Sequence, residues 1–540
     1  MNKVVLVILV VFTSINLDAQ DRYMVFFSDK EQVPYSIDQP QDFLSERAIA
    51  RREKMDIPIT TQDLPVDQAY VDQVKARGVE VYFKTKWFNG VLTQMSGGLV
   101  TSIANLPFVD SVVYVAKGVT LTPGGREDYS VPDTFIDLEG QTSSTITQLA
   151  MLQVDEMHED GYQGQDMLIA VFDSGFPGIN LYKPFEHIFK EKRLIATKDF
   201  VGNSGNVFQY HSHGASVFSC ISASQGTTIS GTAPKASYVL CVTEDTKNEY
   251  RVEEYNWLFA AEFADSIGVD VINGSLGYST FSEASMNYTY EDIDGATAIV
   301  SKAAKIASDK GMVVVVSGGN EGSSPWKYVT APADAEEVLT VGSVGSNYKR
   351  ASHSSYGPTA DGRIKPDVVA MGSSTSIFNG DSYTSGGGTS FASPQIAGFV
   401  AGVWQAHPEW SNDQVIEAVK MSGTNILSPD TAIGYGVPKY TIAVSGRTIA
   451  AVDVFEDKLT IYPNPFSDGR VYLDFGGVEI KGNVEILVSD VNGKSVFAQK
   501  FNGRELPNQL EIEINPVVNG VYFLMLQTRK FKKTVKLVKI

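Results

Sequence analysis

The strongest constraint on the fold comes from residues 148–440, where short apolar runs alternate with segments of helical periodicity. The apolar runs contain few polar residues, which is typical of strands buried on both faces of a parallel sheet. Because helices must cover both faces, the pattern predicts an α/β domain whose ligands bind at the carboxyl ends of its strands. Strands are predicted at 168–172, 237–242, 269–272, 312–316 and 338–342, and helices near 213–221, 252–267, 297–310 and 391–407.

A smaller α+β region precedes this domain. Its elements follow the order β-α-(α)-β-β-α-β, which is typical of a split-βαβ unit. Arg51 and Arg52 lie in a highly charged helix, and we expect them on a solvated face. Residues 116–141 carry Gly, Pro, Thr and Asp without clear periodicity and predict a linker. The strands are predicted at 22–27, 79–84, 91–95 and 111–115, and the helices at 41–54 and 99–106.

A third region follows a connector near residues 441–457. It consists of short runs, most of which alternate apolar and polar residues, separated by turn residues such as Asn492-Gly493. This pattern predicts a small all-β sandwich. Its strands are predicted at 459–461, 471–475, 484–488, 495–498, 510–514, 521–526 and 534–538.

The N-terminus predicts export. Lys3 precedes an apolar run at residues 4–12, and the small residue Ala19 lies beyond it, so residues 1–20 have the layout of a secretory signal peptide. The run is too short to span a bilayer, and no later segment is long enough. We therefore expect an exported protein that is not embedded in a membrane.

Composition indicates which classes of partner are unfavourable and what state the cysteines adopt. The net charge of -19 argues against nucleic acid as a partner, because no basic stripe is present to neutralise phosphates. Only two cysteines, Cys220 and Cys241, occur in 540 residues, so the fold relies on its core and not on a disulfide framework. Pairing of the two outside the cytosol remains open, but buried free thiols are favoured.

Residues 386–394 place a serine at the start of a predicted helix. Pro394 lacks an N–H and has a helical φ, which predicts a place in the first turn of that helix. Ser390 would then lie at the helix N-terminus, where free N–H groups and the helix dipole favour a developing anion. A nucleophile fits this position, but so does a simple helix cap.

Three other polar positions lie at strand or helix ends. Asp173 directly follows a predicted strand, as either a functional carboxylate or a turn cap. His213 begins a helix; His211 is its local rival, and only the following Gly214 favours His213. A metal site at the two histidines would need further ligands, and none is nearby. Asn320 follows another strand, where its amide either donates to an oxyanion or belongs to a plain turn.

The order of these four residues along the chain, Asp, His, Asn and then Ser, resembles that of the subtilisin-like serine proteases, or subtilases. The serine motif at residues 388–394 is the most specific part of the resemblance. Ala215 replaces the usual Thr, and Gly318-Gly319 stands where the family often has Ala-Gly; neither change removes a reacting group. The matching stretches are 169–175, 213–217, 231–234, 271–277, 317–320 and 388–394.

The resemblance implies a role for each matching residue. Ser390 would attack the peptide carbonyl, His213 would accept and return the proton, and Asp173 would orient His213. Asn320 and the backbone N–H of Ser390 would hold the oxyanion. The segment Ser275-Leu276-Gly277 would pair with an extended substrate as an added strand.

The flanking regions carry resemblances of their own. Residues 21–118 resemble a subtilase propeptide, which assists folding and blocks the cleft until it is cut, ahead of a peptidase domain at 119–445. Residues 456–540 resemble the sorting domain of the type IX secretion system of the Bacteroidetes, which implies transport through the periplasm and outer membrane of a Gram-negative bacterium. The alternative for this sandwich is a carbohydrate-binding or adhesive domain. The resemblance rests on residues 461–466, 520–523 and the basic tail 532–539.

These observations favour a secreted serine endopeptidase that forms an acyl-enzyme on Ser390. The alternatives are a non-catalytic binding protein on the same scaffold and, more weakly, an esterase or peptide ligase. The expected partners are a protein or peptide substrate, the chain's own propeptide as an intramolecular inhibitor, and the secretion machinery. No cofactor is required; structural calcium at residues 290–295 is possible, although a solvated acidic loop is favoured.

Overall fold

A computed structural model defines the three regions. The signal peptide predicted at residues 1–20 lies outside the described residues except for Gln20, and parts of the predicted linker and connector also lie outside them. The structure describes residues 20–119, 129–138, 141, 143–226, 229–445, 460–475, 483–502, 507, 509–514, 518–528 and 532–540.

The N-terminal region is a four-stranded antiparallel sheet with helices. The strands have the order β2-β3-β1-β4, in which β1 separates β3 from β4, so the predicted split-βαβ fold is confirmed. The elements are β1 (Asp21–Phe27), α1 (Glu46–Lys54), α2 (Gln68–Lys75), β2 (Glu80–Thr85), β3 (Gly90–Met95), α3 (Val100–Ala104) and β4 (Val109–Ala116).

The middle region contains a seven-stranded parallel sheet with the order β13-β12-β11-β10-β5-β9-β6. Its strands are β5 (Leu168–Asp173), β6 (Leu194–Asp199), β9 (Ser237–Val242), β10 (Val271–Gly274), β11 (Val313–Ser317), β12 (Leu339–Val344) and β13 (Val368–Met371). The five predicted strands are confirmed to within about two residues at either end. The other two lie at the sheet edges: β6 is half-exposed and carries Thr and Lys, and β13 is only four residues long. Neither forms a long apolar run.

Helices cover both faces of this sheet. Those of the middle region are α4 (Ile146–Leu152), α5 (Val154–Glu159), α6 (Glu186–Lys190), α7 (His213–Ser222), α8 (Val252–Ile267), α9 (Ile299–Asp309), α10 (Thr389–Ala406), α11 (Asn412–Met421) and α12 (Tyr440–Ala443). Two short hairpins complete it, β7 (Ser224–Gln225) with β8 (Ile229–Ser230) and β14 (Ser373–Phe378) with β15 (Tyr383–Gly387). Within the described ranges, no helix has the length and apolar character needed to cross a membrane.

The two cysteines lie in different core clusters. Cys220 packs in the cluster that contains α7 and α10, and Cys241 packs in the cluster that contains α8 and α9. Both are buried free thiols, as favoured from the sequence. Burial raises the pKa of Cys220 to about 12, so this thiol is unreactive at neutral pH.

The C-terminal region is an all-β sandwich, as predicted. One sheet has the order β16-β17-β20 and the other β19-β18-β21-β22, and the two share one apolar core. The basic tail lies in the edge strand β22. The strands are β16 (Thr460–Tyr462), β17 (Arg470–Asp474), β18 (Asn483–Asp490), β19 (Ser495–Asn502), β20 (Gln509–Glu513), β21 (Gly520–Thr528) and β22 (Lys532–Lys539).

One prediction for the N-terminal region is wrong. Arg51 and Arg52 are buried and not solvated, because α1 packs against the C-terminal end of α8 in the middle region. Arg51 Nη2 lies 2.7 Å from Asp265 Oδ1, and Arg52 Nη2 lies 2.8 Å from Asp265 Oδ2. Arg52 Nη1 also lies 2.9 Å from Asp63 Oδ1. Buried arginines need carboxylate partners, and the main partner comes from more than 200 residues away in the chain.

Candidate active site

Asp173 lies at the carboxyl end of β5, inside the parallel sheet. All six residues of β5 are buried, and the Asp173 side chain is 2% exposed. Its Oδ1 accepts hydrogen bonds from the Ser174 N–H at 2.7 Å and the Ser174 hydroxyl at 3.1 Å. Its Oδ2 is buried and accepts no hydrogen bond from the described residues. A fixed, largely desolvated carboxylate at this point can orient a neighbouring cation or imidazole.

His213, the first residue of α7, lies directly against this carboxylate. Its Nδ1 is 2.8 Å from Asp173 Oδ1, so Nε2 faces away from Asp173. Gly214 permits this approach, because a Cβ there would lie 2.3 Å from the Gly175 carbonyl oxygen and 2.9 Å from Asp173 Cβ. His211 instead accepts a hydrogen bond from the His213 N–H at 3.2 Å. The structure therefore brings Asp173 together with His213 and not with its rival.

The electrostatic surroundings favour a protonated His213. Burial lowers the pKa of the imidazole, but the charge of Asp173 and its hydrogen bond raise that pKa by more. The net pKa of His213 lies above its ordinary value of 6.5. Glu244 adds a smaller effect of the same sign, but burial raises the pKa of Glu244 itself to about 8. Asp173, through its charge and its hydrogen bond, is therefore the main partner of His213.

Ser390 is the second residue of α10, where the first N–H groups of a helix have no helical acceptor. The residue is 8% exposed. Its hydroxyl donates to the Ser275 carbonyl at 3.4 Å, and the Ser275 hydroxyl donates back to the Ser390 carbonyl at 3.0 Å. The ring of the next residue, Phe391, lies 5.7 Å from the His213 ring between centroids. Among the described residues, no hydrogen bond yet joins the Ser390 hydroxyl to His213.

The position predicted for Pro394 is wrong. Because α10 already begins at Thr389, Pro394 is its sixth residue and lies inside the helix. Proline has no N–H to donate to the carbonyl four residues earlier, which is that of Ser390. The Ser275 hydroxyl donates to that carbonyl instead. The carbonyl of Ser390 that the proline leaves free therefore connects the start of α10 to the residue after β10 through this hydrogen bond.

Asn320 follows β11 at the same edge of the sheet. Its Oδ1 accepts hydrogen bonds from the Thr389 N–H at 2.9 Å and the Thr389 hydroxyl at 3.1 Å. These two donors fix the orientation of the amide, because only the oxygen can accept them. Nδ2 is then left as a donor on the side away from Thr389. The contribution of Thr389 was not expected from the sequence, although the residue adjoins Ser390 in the motif.

Ser275, Leu276 and Gly277 follow β10 and line a cavity of about 290 Å³ together with Asn320 and Ser390. Ser275 is buried, Leu276 is half-buried and Gly277 is exposed. The backbone of this segment therefore borders open space directly beside the serine. An extended peptide can pair with such a segment by strand addition.

The acidic stretch at residues 290–295 uses its carboxylates in local turns. Asp292 Oδ2 accepts the N–H of Thr289 at 2.7 Å and its hydroxyl at 2.9 Å. Asp294 Oδ1 accepts the N–H of Thr297 at 2.7 Å. Nowhere in the described part of the chain do three or more His, Cys, Asp or Glu side chains gather as a group that could hold a metal ion. Structural calcium stays a prediction.

Comparison with known protein families divides the chain into three matched segments. The subtilase family profile matches residues 164–436, which is half of the chain. A profile described as the peptidase S8 propeptide domain of Bacteroidota matches residues 22–129. A profile described as a secretion system C-terminal sorting domain matches residues 460–540. The sorting domain gives the chain a secreted or cell-surface location.

Individual relatives match the middle region. Subtilisin NAT of Bacillus subtilis subsp. natto is 32% identical over 282 residues, covering 51% of this chain and 65% of that relative. Subtilisin of Bacillus pumilus is 31% identical over 286 residues, covering 52% of this chain and 92% of the relative. The crystal structure of MycP1 from Mycobacterium smegmatis aligns with 60% of this chain and 92% of its own, at 20% identity and a TM-score of 0.44. The chain thus spans less than two thirds of the length of the first of these relatives.

Proposed function

The chain belongs to the subtilase family, and on that premise we propose that it is a secreted serine endopeptidase that acts through an acyl-enzyme on Ser390. The observation that carries the proposal is the 2.8 Å hydrogen bond between Asp173 and His213, beside a serine at a helix N-terminus. A carboxylate, an imidazole and a serine in this arrangement perform nucleophilic acyl transfer.

The reaction begins when the Ser390 hydroxyl turns from the Ser275 carbonyl, to which it makes a long hydrogen bond, toward His213. Nε2 accepts the hydroxyl proton, because Nδ1 is held by Asp173. Oγ attacks the substrate carbonyl, and the resulting oxyanion accepts hydrogen bonds from Asn320 Nδ2 and the Ser390 N–H. His213 returns the proton to the leaving amine, and water resolves the acyl-enzyme by the same steps in reverse order.

The N-terminal domain acts in this proposal as an intramolecular inhibitor. Val119, the last described residue before the linker gap, lines a cavity of about 590 Å³ together with Arg22 and His211. The chain that leaves the propeptide therefore enters the region of the candidate active site. Cleavage of the connecting segment would precede activity.

A fluorophosphonate probe tests the proposal, because it labels only a serine activated by a base. Full-length protein is exposed to the probe alongside Ser390→Ala and Ser385→Ala, an exposed serine in β15 that serves as the matched control. We expect the wild type and Ser385→Ala to be labelled and to lose an N-terminal fragment. We expect Ser390→Ala to show neither labelling nor loss of the fragment. If limited proteolysis removes the propeptide and labelling still fails, the chain is a non-catalytic binding protein.

The oxyanion site gives a second expected result. Replacing Asn320 by Leu removes the Nδ2 donor, and we expect kcat to fall by about 10²–10³-fold with little change in KM. Thr389→Val removes one of the two bonds that orient the amide and should lower kcat by a smaller factor. Initial rates on one peptide substrate check both. A lowered kcat in Thr389→Val but not in Asn320→Leu would contradict this assignment.

The pH dependence follows from the environment of His213. The imidazole must be neutral to act as a base, so activity is lost as the pH falls through its pKa. Because Asp173 raises that pKa, the acid limb of kcat/KM should have its midpoint above pH 6.5. In Asp173→Asn the residual activity should show a midpoint at lower pH. A pH–rate profile measures both, and an unchanged midpoint in the variant would contradict the assignment.

A further inference from the structure

The cavity beside Ser390 has an acidic lining. Its lining includes Glu249 and Glu321, while the other described lining residues contribute hydroxyl groups, one amide, glycine backbone and the side chain of Leu276. None of them is Lys, Arg or His. A volume of about 290 Å³ suits one side chain rather than a larger ligand. A side chain that enters this cavity meets negative charge and hydrogen-bond acceptors, with little apolar surface.

The position of the cavity identifies which substrate residue enters it. Ser390 and Asn320 both line it, and the proposed reaction holds the attacked carbonyl between these two side chains. The substrate residue that contributes this carbonyl therefore has its side chain next to the cavity. That residue is the last one before the scissile bond.

Thr330 closes the cavity between its two glycine walls. A Cβ on Gly277 would lie 2.2 Å from Thr330 Oγ1, and a Cβ on Gly319 would lie 3.1 Å from the same oxygen. Thr330 is buried, whereas Glu321 is half-buried and Glu249 is exposed. The floor is therefore a hydroxyl, and the carboxylates lie nearer the mouth. A large aromatic side chain finds little apolar wall here, while a flexible stem with a cationic end can reach the glutamates.

Two neighbouring arginines are occupied elsewhere. The Arg350 guanidinium donates to backbone carbonyls of residues 352 and 354 and stacks on Tyr356 at 3.9 Å. Arg251 donates to the Met286 carbonyl and stacks on Tyr288 at 4.0 Å. Neither lines the cavity. Glu321 itself accepts a hydrogen bond from a neighbouring serine hydroxyl at 2.5 Å, which leaves its carboxylate charge uncompensated.

A second cavity, whose lining includes residues 244–248 just before Glu249, accommodates a cation. Glu244 and Asp245 contribute to its lining, and so does Arg22 of the propeptide domain. Arg22 is only 5% exposed, and its Nε donates to the Lys117 carbonyl at 3.1 Å. A buried guanidinium that interacts with the charge of Asp245 is the arrangement expected where a cationic peptide side chain binds. Lys247 is the second cation of that lining.

We propose that the substrates are polypeptides cleaved directly after Lys or Arg, with Glu249 and Glu321 binding the cationic end of that side chain. The inference rests on the proposed endopeptidase function and adds its substrate class. A cation held by two carboxylates forms charge-assisted hydrogen bonds, which neutral side chains cannot replace.

The test uses self-processed full-length protein and internally quenched peptides that differ only in the residue before the scissile bond: Lys, Arg, Gln, Met, Phe or Glu. We expect kcat/KM to be roughly 10–100-fold higher for Lys or Arg than for Gln or Phe. In the double variant Glu249→Gln with Glu321→Gln, this ratio should fall to near one. Glu336→Gln, an exposed carboxylate outside both cavities, should keep the wild-type ratio.

The outcomes separate this inference from the proposed function. Equal fluorophosphonate labelling of every variant establishes that each is folded and active. A wild type that labels and cleaves but prefers Phe, or a double variant that keeps its preference for Lys, overturns the inference alone. Absence of both labelling and cleavage for every peptide overturns the endopeptidase function, and the inference with it.

Discussion

Replacing Ser390 or His213 by Ala is expected to lower kcat on a peptide substrate by about 10⁶-fold, and replacing both is expected to lower it no further. The nucleophile and its base act as one unit, so removal of either abolishes the same proton-coupled attack. The magnitude is the one known for subtilisin, a member of the same family. The residual rate should come from the oxyanion donors and substrate binding, which both variants keep.

The measurement requires matched preparations, since variants without the nucleophile should not process themselves. The propeptide of each protein is therefore removed by the same limited proteolysis, and Ser385→Ala is carried through as the control. Single-turnover rates on one peptide then give the loss of rate for each single variant and for the double variant. If the double variant loses the product of the two single effects, Ser390 and His213 act independently and the proposed mechanism is wrong.

The second large effect concerns stability at the propeptide interface. Asp265 is fully buried and contacts three propeptide cations: Arg51 at 2.7 Å, Arg52 at 2.8 Å and Lys86 at 3.1 Å. Asp265→Ala leaves these cations without their common partner, and we expect the precursor to lose about 3–5 kcal/mol of unfolding free energy. Denaturant unfolding in a Ser390→Ala background, which prevents self-cleavage, measures this loss.

An exposed ion pair provides the control. Lys305 Nζ lies 2.9 Å from Asp309 Oδ1 within α9, with side chains 38% and 47% exposed. Asp309→Ala should cost less than about 1 kcal/mol, because water solvates the remaining charge. A loss for Asp265→Ala as small as that of Asp309→Ala would show that α1 does not depend on this cluster.

The ion pairs of Asp265 should also be insensitive to pH near neutrality. Burial alone would raise the pKa of Asp265, but Lys86, Arg52 and Arg51 hold it well below its ordinary value of 3.8. A carboxylate with a lowered pKa stabilises the fold at all pH values above its unfolded pKa. This stability is lost only as the pH falls through the folded pKa, which lies in strong acid. Mild acidification should therefore leave the ion pairs of Asp265 intact.

Much of the fold was evident in the sequence because its signals are local. Continuous apolar runs predicted the inner strands of the parallel sheet, and apolar–polar alternation predicted the C-terminal sandwich. The edge strand β6 was not predicted, because a half-exposed strand that mixes apolar and polar residues shows neither pattern. Helix α11 was also missed, although its capping box from Ser411 to Gln414 is a local signal that was available.

The sequence by itself determined which reactive groups the chain carries and where each lies: Asp173 after a strand, His213 and Ser390 at helix starts, Asn320 after another strand. These placements follow from periodicity and turn chemistry within about ten residues. Only the tertiary structure decided which residues pair with them. Asp173 pairs with His213 and not with His211, and Asn320 pairs with Thr389. The Ser275 hydroxyl donates to the carbonyl that Pro394 leaves free. It also buried Arg51 and Arg52 against Asp265. Such contacts join residues far apart in sequence, so they exist only once the sheet and its helices have packed.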